Sequence, residues 1–312
     1  MVSGGVDSTV TAALLLKTLS ADRVHLMYMN TGLMRKDETP AVRAGLEKLG
    51  AKHLHIVQCE DEFLAALKGL EDPEAKRKAV GDQFITVQER ETGRLGLPEN
   101  YFLAQGTIYP DIAESGKGGG AGVVKSHHNV GSPLVDSKRS AGRVIEPLDR
   151  LYKNDVRSLG LYLGIDEEVI RRHPFPGPGL AVRIPGEVTR EKCDLLREAD
   201  SVYIEELKRR KSPAGRRLYD EIWQAFAVLL PVRSVGVSGG ASGGGVENRE
   251  RSYGQVLALR AITGKDGMTA EVYPFEIRDL LEISARITGS VPGIGRVVYD
   301  VSGKPPATIE WE

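Results

Sequence analysis

Ser3-Gly4-Gly5-Val6-Asp7-Ser8 opens the chain, and a helix-forming run from Thr9 to Leu19 follows it directly. Two glycines allow a tight turn and bring bare N–H groups close to an anion. Ser3 and Ser8 add hydroxyl donors, and Asp7 is the candidate ligand for a Mg²⁺ that neutralises phosphate oxygens. The helix N-terminus directs its partial positive charge into the same turn. The stretch reads as a pyrophosphate cradle. It does not end in the Gly-Lys-Ser/Thr of a Walker loop, so a kinase-like reading does not fit. A Gly-Gly pair ahead of a helix is often merely structural, whereas the full hexapeptide is far more restrictive.

Such a loop ordinarily ends a buried parallel strand, yet only Met1 and Val2 precede Ser3. The expectation is a chain without its first strand: a truncated reading frame, a mis-called start or a fragment of a larger protein. The 312 residues are 41% hydrophobic and 27% charged, enough for one large or two medium domains with a substantial core. A net charge of -1 gives no basic field for nucleic acid or an anionic membrane. Cys59 and Cys193 stand far apart with no metal-ligand spacing, and are expected to be reduced, partly buried thiols of a cytoplasmic protein. No apolar run approaches the roughly 20 residues of a membrane span, and no leader is expected ahead of the loop.

Strand and helix patterns alternate through the first half. Arg23 to Met29 and His53 to Cys59 read as strands, Pro40 to Leu49 and Pro73 to Arg90 as helices, and Tyr101 to Ala104 as a short strand. This alternation predicts a doubly wound parallel sheet, whose ligands bind beyond the carboxyl ends of the strands. Ser115 to Arg143 is rich in glycine and polar residues and reads as a long mobile loop or lid. A helix is expected from Asp155 to Leu163, and a second one behind Asp166. His173 to Leu180 is a stiff Pro/Gly hinge, which places the domain boundary after Arg183: residues 1–183, then a smaller α+β domain of residues 184–312. In the latter, Arg190 to Arg209 is an amphipathic helix with Cys193, Leu196, Ala199, Tyr203 and Leu207 on one stripe. Apolar runs at Val228 to Val237, Val256 to Ile262 and Arg296 to Val301 read as strands, and Ile277 to Ile287 as a helix. Ser238 to Glu247 is low in complexity.

Four further clusters carry chemistry. Asp111 and Glu114 follow a strand end and read either as Mg²⁺ ligands coupled to the lid or as a turn with a helix-capping acid. Lys125, His127 and His128 lie in the polar loop; the adjacent histidines make a zinc site from that pair alone unattractive. They read as solvated loop residues or as donors to developing negative charge. Lys153 and Asp155 open a helix, where Lys153 suits a phosphate and Asp155 suits the helix dipole. The tail from Lys304 to Glu312 (KPPATIEWE) carries two prolines, a β-branched pair and a tryptophan, and is expected to dock rather than fray.

SGGVDS is the signature of the PP-loop ATP pyrophosphatases. With DPEAKRK at Asp72 to Lys78, AQGTIYPDIAES at Ala104 to Ser115, KSHHNVG at Lys125 to Gly131, EPL with LYKNDVR at Glu146 to Arg157, RHPFPGPGLAVR at Arg172 to Arg183 and SGKPPATIEWE at Ser302 to Glu312, the whole chain resembles the GMP synthetase family. The resembling part is its ATP-pyrophosphatase and dimerisation portion. The resemblance implies ATP-dependent amination of XMP to GMP through adenyl-XMP, releasing AMP and pyrophosphate. It implies that Ser3, Gly4, Gly5, Val6, Asp7 and Ser8 hold ATP, with Asp7 at Mg²⁺. Asp111 and Glu114 would assist metal binding; Lys125, His127 and His128 would close on the reacting phosphate, with Lys153 and Asp155 in support. Arg77, Lys304, Ile309 and Glu310 would contact XMP, and the second domain would pair two subunits.

The family's glutamine amidotransferase domain is not in this sequence, so ammonia is expected from a separate domain or subunit. Where the family has a compact Gly-Asp-Glu-Arg turn, this chain has the Gly/Ser-rich stretch Gly239 to Arg251. The alternatives are another PP-loop amide-forming ligase, such as NAD synthetase, and a remnant that pairs with a partner without turning over.

Overall fold

In the computed structural model, which describes residues 1–114, 133–238, 250–264 and 269–312, helix α1 spans Val6–Thr18 and begins inside the glycine turn rather than at Thr9. Gly5 is extended, at φ -74° and ψ 158°, and ends the turn. Asp7 in the first helical turn suits the positive end of the helix, so the chain goes helical three residues early. Expectations that rest on residues 115–132 and 239–249, including Lys125, His127 and His128, lie outside the described residues.

The following elements are β1 (His25–Asn30), α2 (Glu38–Lys48), β2 (His53–Gln58), α3 (Glu60–Leu67), α4 (Pro73–Arg94), β3 (Leu103–Ala104), α5 (Tyr109–Glu114), α6 (Pro133–Ser140), β4 (Val144–Ile145), α7 (Lys153–Tyr162) and α8 (Glu167–Ile170). The second half adds α9 (Arg190–Arg209), α10 (Leu218–Glu221), β5 (Gln224–Ser238), β6 (Glu250–Thr263), β7 (Glu271–Val272), α11 (Ile277–Ser290) and β8 (Ile294–Tyr299). Helix α6 corrects the reading of Ser115 to Arg143 as loop throughout. Pro133 sits at its first position, where a missing N–H costs nothing, and Lys138 and Arg139 suit its last turn.

The chain divides into two units. One comprises Met1–Gly32, Asp37–Ala66 and Lys78–Gly177; the other comprises Leu33–Lys36, Leu67–Arg77 and Pro178–Glu312. The second unit thus opens inside the Pro/Gly run and recruits two earlier stretches, which a single cut in the sequence does not capture.

The first unit is α/β with parallel strands. β1 pairs with β2 from His25↔His53 to Asn30↔Gln58, and β3 pairs with β4 at Leu103↔Val144 and Ala104↔Ile145, both in parallel. Ahead of the glycine turn, Val2 N–H donates to the Met27 carbonyl at 2.7 Å, so the chain enters alongside β1. Helix α1 is apolar on both sides because it is packed on both sides. Val6, Val10 and Ala13 meet Ile108, Leu148, Val156, Ile165 and Ile170. Ala12 meets Val2, Val24, Leu26 and Leu46. A fully buried side chain such as Val10 is worth about 1.5–3 kcal/mol. The buried Thr9 and Thr11 hydroxyls cost little, since each donates to a carbonyl one turn back, those of Gly5 and Asp7, at 2.9 Å.

At the start of β1 and β2, three imidazoles share one face. The His25 ring stacks on His53 at 4.6 Å and on His55 at 5.4 Å. His25 Nδ1 and His55 Nε2 share a hydrogen bond of 3.1 Å.

In the second unit β6 is central. β5 pairs with it antiparallel over Gln224↔Ile262 to Ser238↔Glu250, interrupted by a bulge between Leu230 and Arg233 where Pro231 sits. β7 pairs antiparallel at Ile262↔Val272 and β8 parallel over Gln255↔Ile294 to Leu259↔Tyr299. Helix α9 keeps the boundaries read from the sequence and buries its expected stripe, with Asp200 and Glu206 added. The Asp200 carboxylate accepts Ala227 N–H at 2.8 Å and so ties the helix to β5.

Candidate active site

The glycine turn is drawn together by its own hydroxyls. Ser3 N–H donates to Ser8 Oγ at 3.2 Å, the two serine hydroxyls share a bond of 3.1 Å, and Gly5 N–H donates to Ser3 Oγ at 3.3 Å. Ser8 Oγ–H in turn donates to the Gly5 carbonyl at 3.0 Å. The first N–H groups of α1 have no partner within the helix and face into this turn. Gly4 stands at φ +79°, and a Cβ there would lie 2.8 Å from Val42 Cγ2 and 2.9 Å from Glu38 Oε1. Both conformation and space therefore require glycine.

Beneath the turn lies an ion pair that the sequence reading missed. The Arg172 guanidinium binds the buried Glu38 carboxylate and also donates to the Gly4 carbonyl at 3.4 Å. Burial beside these groups pushes the Tyr28 phenol up to about 12. Gly106, just past β3, touches the other side: a Cβ on it would meet the Asp7 carbonyl carbon at 3.0 Å and Ser8 N at 3.1 Å.

One predicted phosphate residue reaches the cradle. Lys153, the first residue of α7, donates to both Asp7 oxygens at 2.8 and 2.6 Å. Asp111 and Asp155 serve their own helices in this structure. Asp111 Oδ2 accepts Ile108 N–H at 3.1 Å and Asp155 Oδ2 accepts Tyr152 N–H at 3.1 Å. Those are the helix-capping readings of both residues. Glu114 ends α5. Glu146, part of the same carboxyl-end region, accepts Thr107 Oγ1–H at 2.6 Å and Arg139 at 3.2 Å.

Among the described residues, no three His, Cys, Asp or Glu side chains gather as metal ligands. A Mg²⁺ carried in by nucleotide phosphates needs only one or two protein carboxylates, and the partly exposed Asp7 fits that lesser requirement. Both cysteines are fully buried, more so than expected, and burial pushes the Cys59 thiol up to about 12.

The residues assigned to XMP, Arg77, Lys304, Ile309 and Glu310, all fall in the second unit, and the cradle falls in the first. Arg77 pairs with Glu74 on α4. Lys304 exchanges backbone hydrogen bonds with Ala270, at 2.8 and 3.1 Å. The Glu310 carboxylate accepts Arg183 through Nε at 3.1 Å and Nη2 at 2.9 Å, and Gln224 Nε2 at 2.7 Å. Glu312 accepts Lys76 Nζ at 2.5 Å. The fully buried Arg260 grips the backbone at Thr308 and Ile309. The tail therefore docks as expected. Its three buried cations, Lys76, Arg183 and Arg260, were not singled out for this role, and only the DPEAKRK and HPFPGPGLAVR matches touched two of them. No helix among the described residues is long and apolar enough to cross a membrane.

Residues 212–311 match the family model of the GMP synthase C terminal domain, and residues 1–73 match that of asparagine synthase. The chain is 51% identical over 312 residues to the glutamine-hydrolyzing GMP synthase of Bdellovibrio bacteriovorus, covering all of this chain and 58% of the relative. It is 50% identical over 314 residues to that of Zymomonas mobilis and 49% over 313 residues to that of Bartonella bacilliformis, covering 56% of each. The chain thus spans a little over half the length of the curated relatives it matches.

Proposed function

We infer, for a chain that belongs to the GMP synthase family by similarity over its whole length, that it carries out the ATP-dependent amination of XMP to GMP. The observation that carries this reading is the cradle of Ser3 to Ser8 at the N-terminus of α1, with Lys153 set against Asp7. In this reading residues 1–183 handle ATP, with Arg77 turned to XMP, and residues 184–312 handle XMP and dimerisation.

Backbone N–H groups and hydroxyls of the cradle bind the ATP phosphates, as oriented dipoles at a helix end do for anions. Mg²⁺, when bound with the nucleotide beside Asp7, neutralises phosphate oxygens. The C2 oxygen of XMP attacks the α-phosphorus and pyrophosphate leaves, giving adenyl-XMP. Ammonia then adds at C2 and AMP departs with the former C2 oxygen. This displacement needs alignment and cationic donors more than a strong nucleophile. Lys153 supplies one such donor. We assign Lys125, His127 and His128 the same task from the polar segment, with Asp111, Glu114 and Asp155 in support. Arg77, Lys304, Ile309 and Glu310 contact XMP.

Ammonia comes from glutamine through an amidotransferase domain or subunit, in line with the relatives being named as glutamine-hydrolyzing. The reading further includes a cytoplasmic homodimer that engages neither nucleic acid nor membrane. The test is to supply the chain with XMP, ATP, Mg²⁺ and ammonium and to follow GMP and pyrophosphate. Pyrophosphate without GMP, or neither product from folded protein, refutes it.

A further inference from the structure

We propose that Arg260 is the positioning residue of the carboxy-terminal tail, holding Thr308 to Glu310 where the tail reads XMP. The proposal rests on the functional reading above and names a residue that acts through others, without touching substrate itself.

Arg260 lies towards the carboxyl end of β6, opposite Phe226 of β5, and is fully buried. An arginine in that place is costly unless its N–H groups are all used. Its acceptors come from the chain end. Nε donates to the Ile309 carbonyl at 2.7 Å and Nη2 to the Thr308 carbonyl at 2.7 Å. Nη1 donates to Asp300 Oδ2 at 2.7 Å and to the Ser302 carbonyl at 2.9 Å. One rigid planar fork therefore fixes two consecutive carbonyls at the end of the tail and one before its prolines. The dependence is mutual: the tail satisfies the buried guanidinium, and the guanidinium orders the tail.

The neighbouring cations hold side chains instead. Arg183 and Gln224 take Glu310, and Lys76 takes Glu312. Those bonds set the direction of the carboxylates only if the backbone between them is already placed, which is the task of Arg260. Trp311 reports on the same spot, because its indole N–H donates to the Asp300 oxygen that Arg260 also binds, at 3.0 Å. A lysine at residue 260 keeps the charge for Asp300 but has one ammonium, which cannot span the Thr308 and Ile309 carbonyls as the fork does.

The experiment compares the full chain with Arg260→Lys and Asp300→Asn, each in a Trp223→Phe background that leaves Trp311 as the sole tryptophan of the two. XMP affinity, the ATP KM, Trp311 emission and circular dichroism are read together. The expected result for R260K is XMP binding weaker by about tenfold or more, an ATP KM unchanged within about twofold, red-shifted Trp311 emission and an unchanged dichroism spectrum. D300N shifts the same two signals in the same direction by less. Unchanged XMP affinity in folded R260K overturns the proposal, and so does weakened affinity with Trp311 unmoved. If R260K does not fold, D300N decides: folded and unchanged in both signals, or itself unfolded, it overturns the proposal as well. A parent chain that binds no XMP, while Trp311 moves in R260K, overturns the functional reading and leaves Arg260 as a clamp of the tail alone.

Discussion

Lys153 and Asp7 lie 146 residues apart in sequence and are joined at the cradle by two hydrogen bonds of 2.8 and 2.6 Å. Their side chains are 42% and 29% exposed. An exposed pair of this kind contributes about 0–1 kcal/mol to stability, so the close bidentate pair adds little to the fold, which suits the role in ATP binding proposed above.

Asp7→Ala and Lys153→Met are therefore expected to lower pyrophosphate release by about a hundredfold or more, with melting temperatures within a few degrees of the parent. Stopped-time pyrophosphate assays beside thermal melts check both halves. Near-normal rates in either variant remove that residue from the cradle.

Gly106→Ala is expected to weaken ATP binding. The new methyl would press on Asp7 and Ser8 backbone atoms at 3.0 to 3.1 Å, where no flexible side chain is able to yield. Overpacking of this sort costs about 1–3 kcal/mol. The ATP KM should rise while XMP affinity stays level, and an unaltered ATP KM contradicts the close approach.

Stability is expected to fall as pH drops below about 6.5. Burial lowers the pKa of His25 and of His55, and the neighbouring His53 lowers both further. The folded chain then binds fewer protons than the unfolded chain near their ordinary value of 6.5, so acid favours unfolding. Lys52 beside them is paired with Asp22 at 3.1 Å. The contribution is full above that pH and is lost as the pH falls towards the depressed values. Urea midpoints measured between pH 7.5 and pH 5 should converge in His25→Asn/His55→Gln; an unchanged slope excludes the imidazole cluster as the cause.

Glutamine alone is not expected to support GMP formation by these 312 residues. Cys59 and Cys193 are both buried, and the Cys59 thiol is pushed up to about 12, far from a reactive thiolate. Ammonium should sustain turnover and glutamine should not. Neither thiol should react with a disulfide reagent until the protein is unfolded, and rapid labelling of native protein would contradict the burial.

What the sequence disclosed was local. SGGVDS is contiguous, and α9 is legible end to end because Thr189 caps it, accepting Lys192 N–H at 3.3 Å, and because its apolar stripe keeps helical period. Helix α6 was obscured by the glycine-rich run before it. The buried cations were harder still, because a buried Arg and an exposed one look alike until their acceptors are known. Those acceptors lie 49 residues from Arg260, 127 from Arg183 and 236 from Lys76. The same holds for Glu38 and Arg172, 134 residues apart beneath Gly4.

The grip of Arg260 falls on main-chain oxygens, and every amino acid has those. Residue 309 is thus released from any duty to hold the tail in place, whereas Thr308 also donates its hydroxyl to the Glu310 carbonyl, and Glu310 and Glu312 are bound by their own side chains. Mutational drift or directed evolution at residue 309 can change the side chain there without moving the tail. Changes at the other three give up an anchor. If the tail contacts XMP as proposed above, a library aimed at an altered base preference belongs at Ile309, with Arg260 left untouched as its fixed mount.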